Sequence, residues 1–424
     1  MPVVNPTAAD PSLFRTTVFA TGIPGSNSVV LLSDGSILAN TSPQFSNGAI
    51  VRYTDTNQDG LSDGAGTVLY SSASGPLTQL REAGGHFYVG EFGANRITIL
   101  AAGASASDPL TAVGSLQFSY PAGWAHPTVG MAVRETPGSP GSYNLVFNVG
   151  SQFNSQASTS AVTISGLGLG PIQVNGDSLY MITIDQTGAT PTASSLRTVA
   201  TGIRNVYGMA FHPTTGDLYF ADNAIDEDPL GVGTEPPQAD ELNRILFGDV
   251  GSAVYNFGFP NCYIEYRTGS EIGPCVGVTQ PLAVFQPVPN TPDGFRTEGP
   301  TEIAFAPPGF PISLTSGLFI GFSGANGVGP ANDQNGLVFY NFSDGSYVHF
   351  IESGTAGVGN LLGVYTTQDS LFVSDWGSGD LYLITSAVPE PATLGVGAGT
   401  LLVMLGLGVR RRFGAVSQKG TGRA

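Results

Sequence analysis

The sequence predicts an all-β chain: a six-bladed β-propeller over residues 13–386, followed by a single C-terminal transmembrane helix. Three observations lead there. One phrase recurs six times, turn residues are spread throughout, and no long helical periodicity appears before the tail. With Gly 59, Pro 30 and only 11% charged residues, the composition describes many short strands joined by tight turns. The copies are unevenly spaced, but a recurring hairpin phrase marks repeats of about 50 residues with four strands each, a propeller signature. A pair of β-sandwiches is the alternative; it accounts for the strands but not for the recurrence.

Residues 1–12 read as an N-terminal extension. The first copy is Ser28 to Leu38, with the turn Ser33-Asp34-Gly35. The second pairs Leu77–Leu80 with His86–Gly90, and the third pairs Gly130–Val133 with Tyr143–Gly150. The clearest is the fourth, Tyr207-Gly208-Met209-Ala210-Phe211 leading through Thr214-Thr215-Gly216-Asp217 to Leu218–Asp222. The fifth joins Glu302–Phe305 to Gly317–Gly321, and the sixth joins Leu362–Tyr365 to Ser370–Asp375. Alternating apolar and polar residues predict hairpins half-buried between neighbours.

Between the first two copies lies Asp55-Thr56-Asn57-Gln58-Asp59-Gly60-Leu61-Ser62-Asp63. Oxygen side chains at alternate positions around a glycine turn suit a hard cation, so Asp55, Asn57, Asp59 and Asp63 are candidate calcium ligands. Gly66 stands where an EF-hand would place its closing Glu. An Asx-rich turn is the plainer alternative.

Charge excludes one partner class. Net charge is −17, and five of the 15 basic residues lie after Val409. Ten arginines and no lysine therefore face 32 acids in the body, a surface that repels nucleic-acid phosphates. The two cysteines, Cys262 and Cys275, are expected to bridge in an oxidising compartment, closing a loop of about 14 residues.

The tail, residues 387–424, supplies that compartment. Pro389-Glu390-Pro391 is followed by an uncharged stretch, 392–409, and then by Arg410-Arg411-Arg412. As a helix, 392–409 spans roughly 27 Å, close to the ~30 Å hydrocarbon core. The arginines place the C-terminus in the cytoplasm and the body outside. A buried core helix is the alternative, but it would rarely lack a polar face. The segment 388–413 resembles the PEP-CTERM sorting domain. That resemblance implies recognition by an exosortase, a membrane transpeptidase, and delivery to the surface of a Gram-negative, exopolysaccharide-producing bacterium. It also implies inner-membrane anchoring before processing. Met1-Pro2-Val3-Val4 begins no basic, apolar leader, so export is expected to use either a start upstream of Met1, the favoured reading, or a signal trimmed from this sequence.

Gly202-Ile203-Arg204-Asn205, Tyr207–Phe211, Asp240-Glu241-Leu242-Asn243 and Tyr255–Pro260 form a second recognisable run. Residues 201–263 resemble the glucose/sorbosone dehydrogenase family of soluble quinoprotein propellers. The resemblance implies pyrroloquinoline quinone on the axis, calcium polarising it, and a histidine base taking the sugar hydroxyl proton. It assigns His126 as that base, Arg204 and Asn205 to the cofactor, and Asp222 with Glu241 to a second cation site. The family's remaining cations come from its fifth and sixth blades. The matching stretches here, Gly321-Phe322-Ser323-Gly324 and Gly359-Asn360-Leu361-Leu362, hold none. Three functions are therefore carried forward. They are a quinone-dependent sugar or alcohol oxidoreductase with an incomplete clamp, a non-catalytic calcium-stabilised propeller binding glycans or exopolysaccharide, and a lactonase-type propeller.

Overall fold

In the computed structural model, the described residues are 1–43, 46–127, 130–225, 235–286, 299–323, 336–351 and 360–387. Their strands form six antiparallel blades around one axis. The inner strands are Val29–Leu31, Leu77–Ala83, Met131–Glu135, Val206–Phe211, Pro300–Phe305 and Leu361–Thr366. Each opens one of the six repeated phrases, and the aromatic-rich partner follows as the second strand.

The chain closes the ring on itself. Strand Phe14–Ala20 pairs antiparallel with Asp380–Ser386, giving blade 6 its outermost strand from the opposite end of the sequence. Two blades are wider than four strands. Ala161–Gly166 and Leu169–Asn175 extend blade 2, and Tyr255–Asn256 adds a parallel strand to blade 3. Residues 4–5, expected to be an extension, dock on blade 5: Val4 bridges Ile351, and the Asn5 amide donates to the Phe350 carbonyl at 2.8 Å.

The hydrophobic core is divided into six clusters, one between each pair of neighbouring blades. This corrects the half-buried reading of the hairpins. Leu145 and Phe147 face the core between blades 2 and 3, whereas Val146 faces that between blades 3 and 4. Successive side chains point to opposite sheet faces, and here both faces are buried. The middle strands therefore read as nearly continuous apolar runs, as double-sided burial requires. A sandwich pair would have one core per domain rather than six.

Cys262 and Cys275 are joined in a disulfide within the 255–285 excursion of blade 4. The sorting signature Pro389, Glu390, Pro391 and the span 392–409 lie outside the described residues. Among the described residues, no helix is long and apolar enough to cross a membrane.

Candidate functional site

The inner strands all begin on one face, termed upper here. Second strands end there and third strands start there, so blade geometry gathers residues that are distant in sequence. Asp222 ends the second strand of blade 4. Its Oδ2 accepts the Arg204 amide at 3.0 Å, and its Oδ1 accepts the Asn205 amide at 2.7 Å. The turn entering blade 4 is thereby fixed. Arg204 is only 1% exposed. Its Nε donates to the Asn154 carbonyl at 3.0 Å, its Nη2 to Asn154 Oδ1 at 2.5 Å, and its Nη1 to the Asn223 carbonyl at 3.3 Å.

His126 joins this group through Ser151. The Ser151 amide donates to the Arg204 carbonyl at 2.8 Å, and His126 Nδ1 lies 2.8 Å from Ser151 Oγ. Ser151 spends its hydroxyl proton on the Phe153 carbonyl at 2.7 Å, so Nδ1 must carry the proton in that contact. This assignment leaves the lone pair of the neutral ring on Nε2. Gly150 makes the close approach feasible, because a Cβ there would sit 2.6 Å from the His126 carbonyl oxygen.

Glu241 lies directly across from Asp222 in the strand register and is 4% exposed. Asn243 Nδ2 donates to it at 3.2 Å. Burial pushes Asp222 up to about 6, against the pull of its amide donors and Arg204. Burial, reinforced by the Asp222 charge, pushes Glu241 up to about 8. Close by in sequence, Asn223 Oδ1, Asn243 Oδ1 and Gln238 Oε1 are buried side-chain oxygens with no hydrogen-bond partner among the described residues. Asp222 and Glu241 face each other in register and Asn243 is bonded to Glu241, so two carboxylates and one unsatisfied amide oxygen lie together, and oxygen donors of this kind suit a hard cation such as calcium. Among the described residues, no three His, Cys, Asp or Glu side chains converge on a single metal position. Asp222 and Glu241 would therefore need these neutral oxygens to complete a shell.

The donor set does not fit the quinone. Its three carboxylates require cations in reach. Of the ten body arginines, Arg296 alone lies outside the described residues, and Arg204 is the one whose amide is held by Asp222. Its guanidinium is spent on Asn154 and Asn223.

The sequence reading missed the residues that fill the axis. Asn27 Nδ2 donates to the Tyr207 hydroxyl at 2.8 Å, linking blade 1 to blade 4. Gln79 donates to the Tyr207 carbonyl and accepts the Met131 amide at 2.6 Å. Arg81 pairs with Glu302 at 2.6 Å. These two line an axial cavity of about 240 Å³ with Val30, Ala210, Phe305 and Tyr365. The available signal was a charge inside an otherwise apolar inner strand, as at Leu80-Arg81 and Thr301-Glu302-Ile303.

The other predicted cation loop is remote from this site. Asp55 to Asp63 connects the third and fourth strands of blade 1 on the lower face. There Asp55 accepts the Asp59 and Gly60 amides at 3.1 and 2.9 Å, and Asp63 accepts the Thr56 amide at 2.9 Å. Asn57 donates to Asp59 at 3.0 Å, and Gly60 takes a φ of +83°. The structure thus splits the six predicted metal ligands between opposite faces.

No protein-family profile matches the sequence, and no curated protein sequence matches it. Solved structures do resemble it. A calcium structure of a Trichoderma reesei carbohydrate-active enzyme of family AA12 has a TM-score of 0.61 at 16% identity, over 91% of this chain and 97% of that one. The holo PQQ domain of pyranose dehydrogenase from Coprinopsis cinerea has a TM-score of 0.55 at 15% identity, covering 88% and 95%. The PQQ-bound aldose sugar dehydrogenase of Streptomyces coelicolor has a TM-score of 0.53 at 16% identity, covering 91% and 99%. At these identities the likeness is one of fold: the chain is built as a β-propeller, the architecture it shares with these structures.

Proposed function

We propose that the chain is an exported, exosortase-sorted propeller that binds glycan at the cell surface, is stabilised by calcium, and does not oxidise sugars through a quinone. One observation carries the choice against oxidation. Arg204 is held by Asn154 and Asn223, and Arg81, the axial cation, is held by Glu302. A trianionic cofactor in a strongly acidic shell would have to compete for Arg204 and Arg81 with partners that already hold them. Calcium at Asp222 and Glu241 would neutralise two buried carboxylates and tie the second strand of blade 4 to the third.

The test is reconstitution with pyrroloquinoline quinone and calcium, followed by dye reduction on a panel of aldoses. No turnover and no quinone spectral change are expected. Saturable, quinone-dependent turnover abolished by His126→Ala would establish the dehydrogenase reading instead. Sorting is checked separately. In a host with an exosortase, replacing both Pro389 and Pro391 by alanine is expected to leave the chain membrane-bound, while the unaltered chain is released. Equal release of both would remove the sorting motif from the account.

A further inference from the structure

The lower face carries a groove of about 720 Å³ between blades 6 and 1, within the roughly 300–1,000 Å³ range of small-molecule sites. Its base is apolar, formed by Leu31, Phe19, Phe372 and Leu383. Phe19 and Phe372 meet edge to face at 5.4 Å, which stiffens that base.

The rim is polar and preset. Asp34 accepts the Ser36 amide at 2.9 Å and the Arg52 Nη2 at 2.9 Å, while Arg52 Nε donates to Ser36 Oγ at 2.9 Å. Among the described residues no acceptor meets Arg52 Nη1, so this guanidinium keeps donors to offer. Across the groove, Asp369 accepts the hydroxyls of Thr367 and Ser370 at 3.3 and 3.0 Å. The Asp55 loop forms a third wall and is sewn to the strand from blade 6: the Ser62 amide donates to the Phe19 carbonyl at 2.7 Å, and Thr17 Oγ1 donates to the Gly60 carbonyl at 3.2 Å.

We propose that this groove binds a neutral oligosaccharide. The inference rests on the glycan-binding reading above and gives it a place, on the face opposite His126 and Arg204. A sugar ring offers C–H faces to an apolar base and vicinal hydroxyls that both donate and accept, matching the Arg52 guanidinium and the Asp369 carboxylate across the rim. Acidic glycans are disfavoured by Asp34, Asp55 and Asp369 and by the charge of the whole body. A cationic peptide is disfavoured as well. Asp34 is committed to Arg52 and Asp55 to its own loop, which leaves Asp369 as the open carboxylate, across the groove from a guanidinium that repels a cationic chain.

The experiment titrates the full chain, purified in detergent, with cello-, manno- and galacto-oligosaccharides by calorimetry. An alginate oligosaccharide and a hexalysine peptide serve as competitors. One neutral series is expected to bind, and Arg52→Leu is expected to weaken it roughly tenfold or more by removing a charged donor. If Arg52→Leu does not fold, Asp369→Asn reports the same loss from the opposite rim. Neutral binding that neither variant weakens overturns the groove and leaves the glycan reading standing. Binding of none of the neutral series overturns both. Displacement of a bound neutral sugar by alginate or hexalysine at equal concentration overturns the assignment of ligand class.

Discussion

Arg81→Ala is expected to destabilise the propeller by about 3–5 kcal/mol, the cost of leaving a buried carboxylate without its partner. Arg81 lies on the inner strand of blade 2 and reaches four other blades. Its Nε donates to the Met131 carbonyl of blade 3 at 3.2 Å, and its Nη2 lies 3.5 Å from the Met209 carbonyl of blade 4. Its Nη1 donates to Ser28 Oγ beside blade 1 at 3.1 Å. Both terminal nitrogens grip Glu302 of blade 5, at 3.1 and 2.6 Å. Glu302 is 2% exposed, and burial raises its pKa even with the guanidinium present. Without Arg81 it must take up a proton, so the loss should be smaller at pH 5 than at pH 8. Replacing both partners, Arg81→Met with Glu302→Leu, removes the stranded charge and should recover most of the loss. Reversible urea unfolding of the two single variants and the double reads the coupling directly. A loss below about 1 kcal/mol for Arg81→Ala would mean that blade-to-blade packing alone holds the axis.

The contrast between Arg81 and the repeats shows what the sequence made legible. The six phrases were readable because double-sided burial imposes the same apolar demand on every first and second strand, whichever blade they occupy. Arg204-Asn205 and Asp222 were readable because a turn into a strand has local wording, and the structure joins them by two hydrogen bonds. Asn154, Ser151, Asn27 and Gln79 had no such wording. Their roles come from ring closure, which brings Asn27 to Tyr207 across 180 positions of sequence. The Asp55 loop marks a third case. Its spacing was visible, but its carboxylates satisfy backbone amides of the same turn, which the ligand pattern alone does not reveal. The wall it builds against blade 6 depends on the N-terminal strand closing the ring.

In calcium-free buffer, stability is expected to fall as pH rises from about 4.5 to about 8, the reverse of ordinary acid denaturation. Asp222 moves from an ordinary value of 3.8 to about 6, and Glu241 from 4.5 to about 8. Both folded values are raised, so the folded state holds protons that the unfolded chain has released. The contribution is fully present below the unfolded values and is lost as pH climbs through the folded ones. For Glu241 the span is on the order of 5 kcal/mol; the Asp222 share overlaps with it, because a coupled pair releases its protons as a unit. Asp177, also raised by burial, acts in the same direction. Asp63, Asp108 and Asp185 are lowered by hydrogen bonds from their own turns, so their contribution is lost only as pH falls below the ordinary carboxylate range. Calcium at Asp222 and Glu241 needs the ionised forms, so it should restore stability most at the alkaline end, by about 2.7 kcal/mol at a hundredfold excess over Kd. Melting temperatures across pH 5–8, with chelator and with calcium, measure both effects. Glu241→Gln should flatten the slope and remove the calcium response above pH 7, whereas Asp59→Ala, in the loop on the opposite face, should leave both in place. A flat profile in chelator would mean that both carboxylates stay ionised in the fold. A calcium response that survives Glu241→Gln but not Asp59→Ala would move the stabilising ion to the lower face.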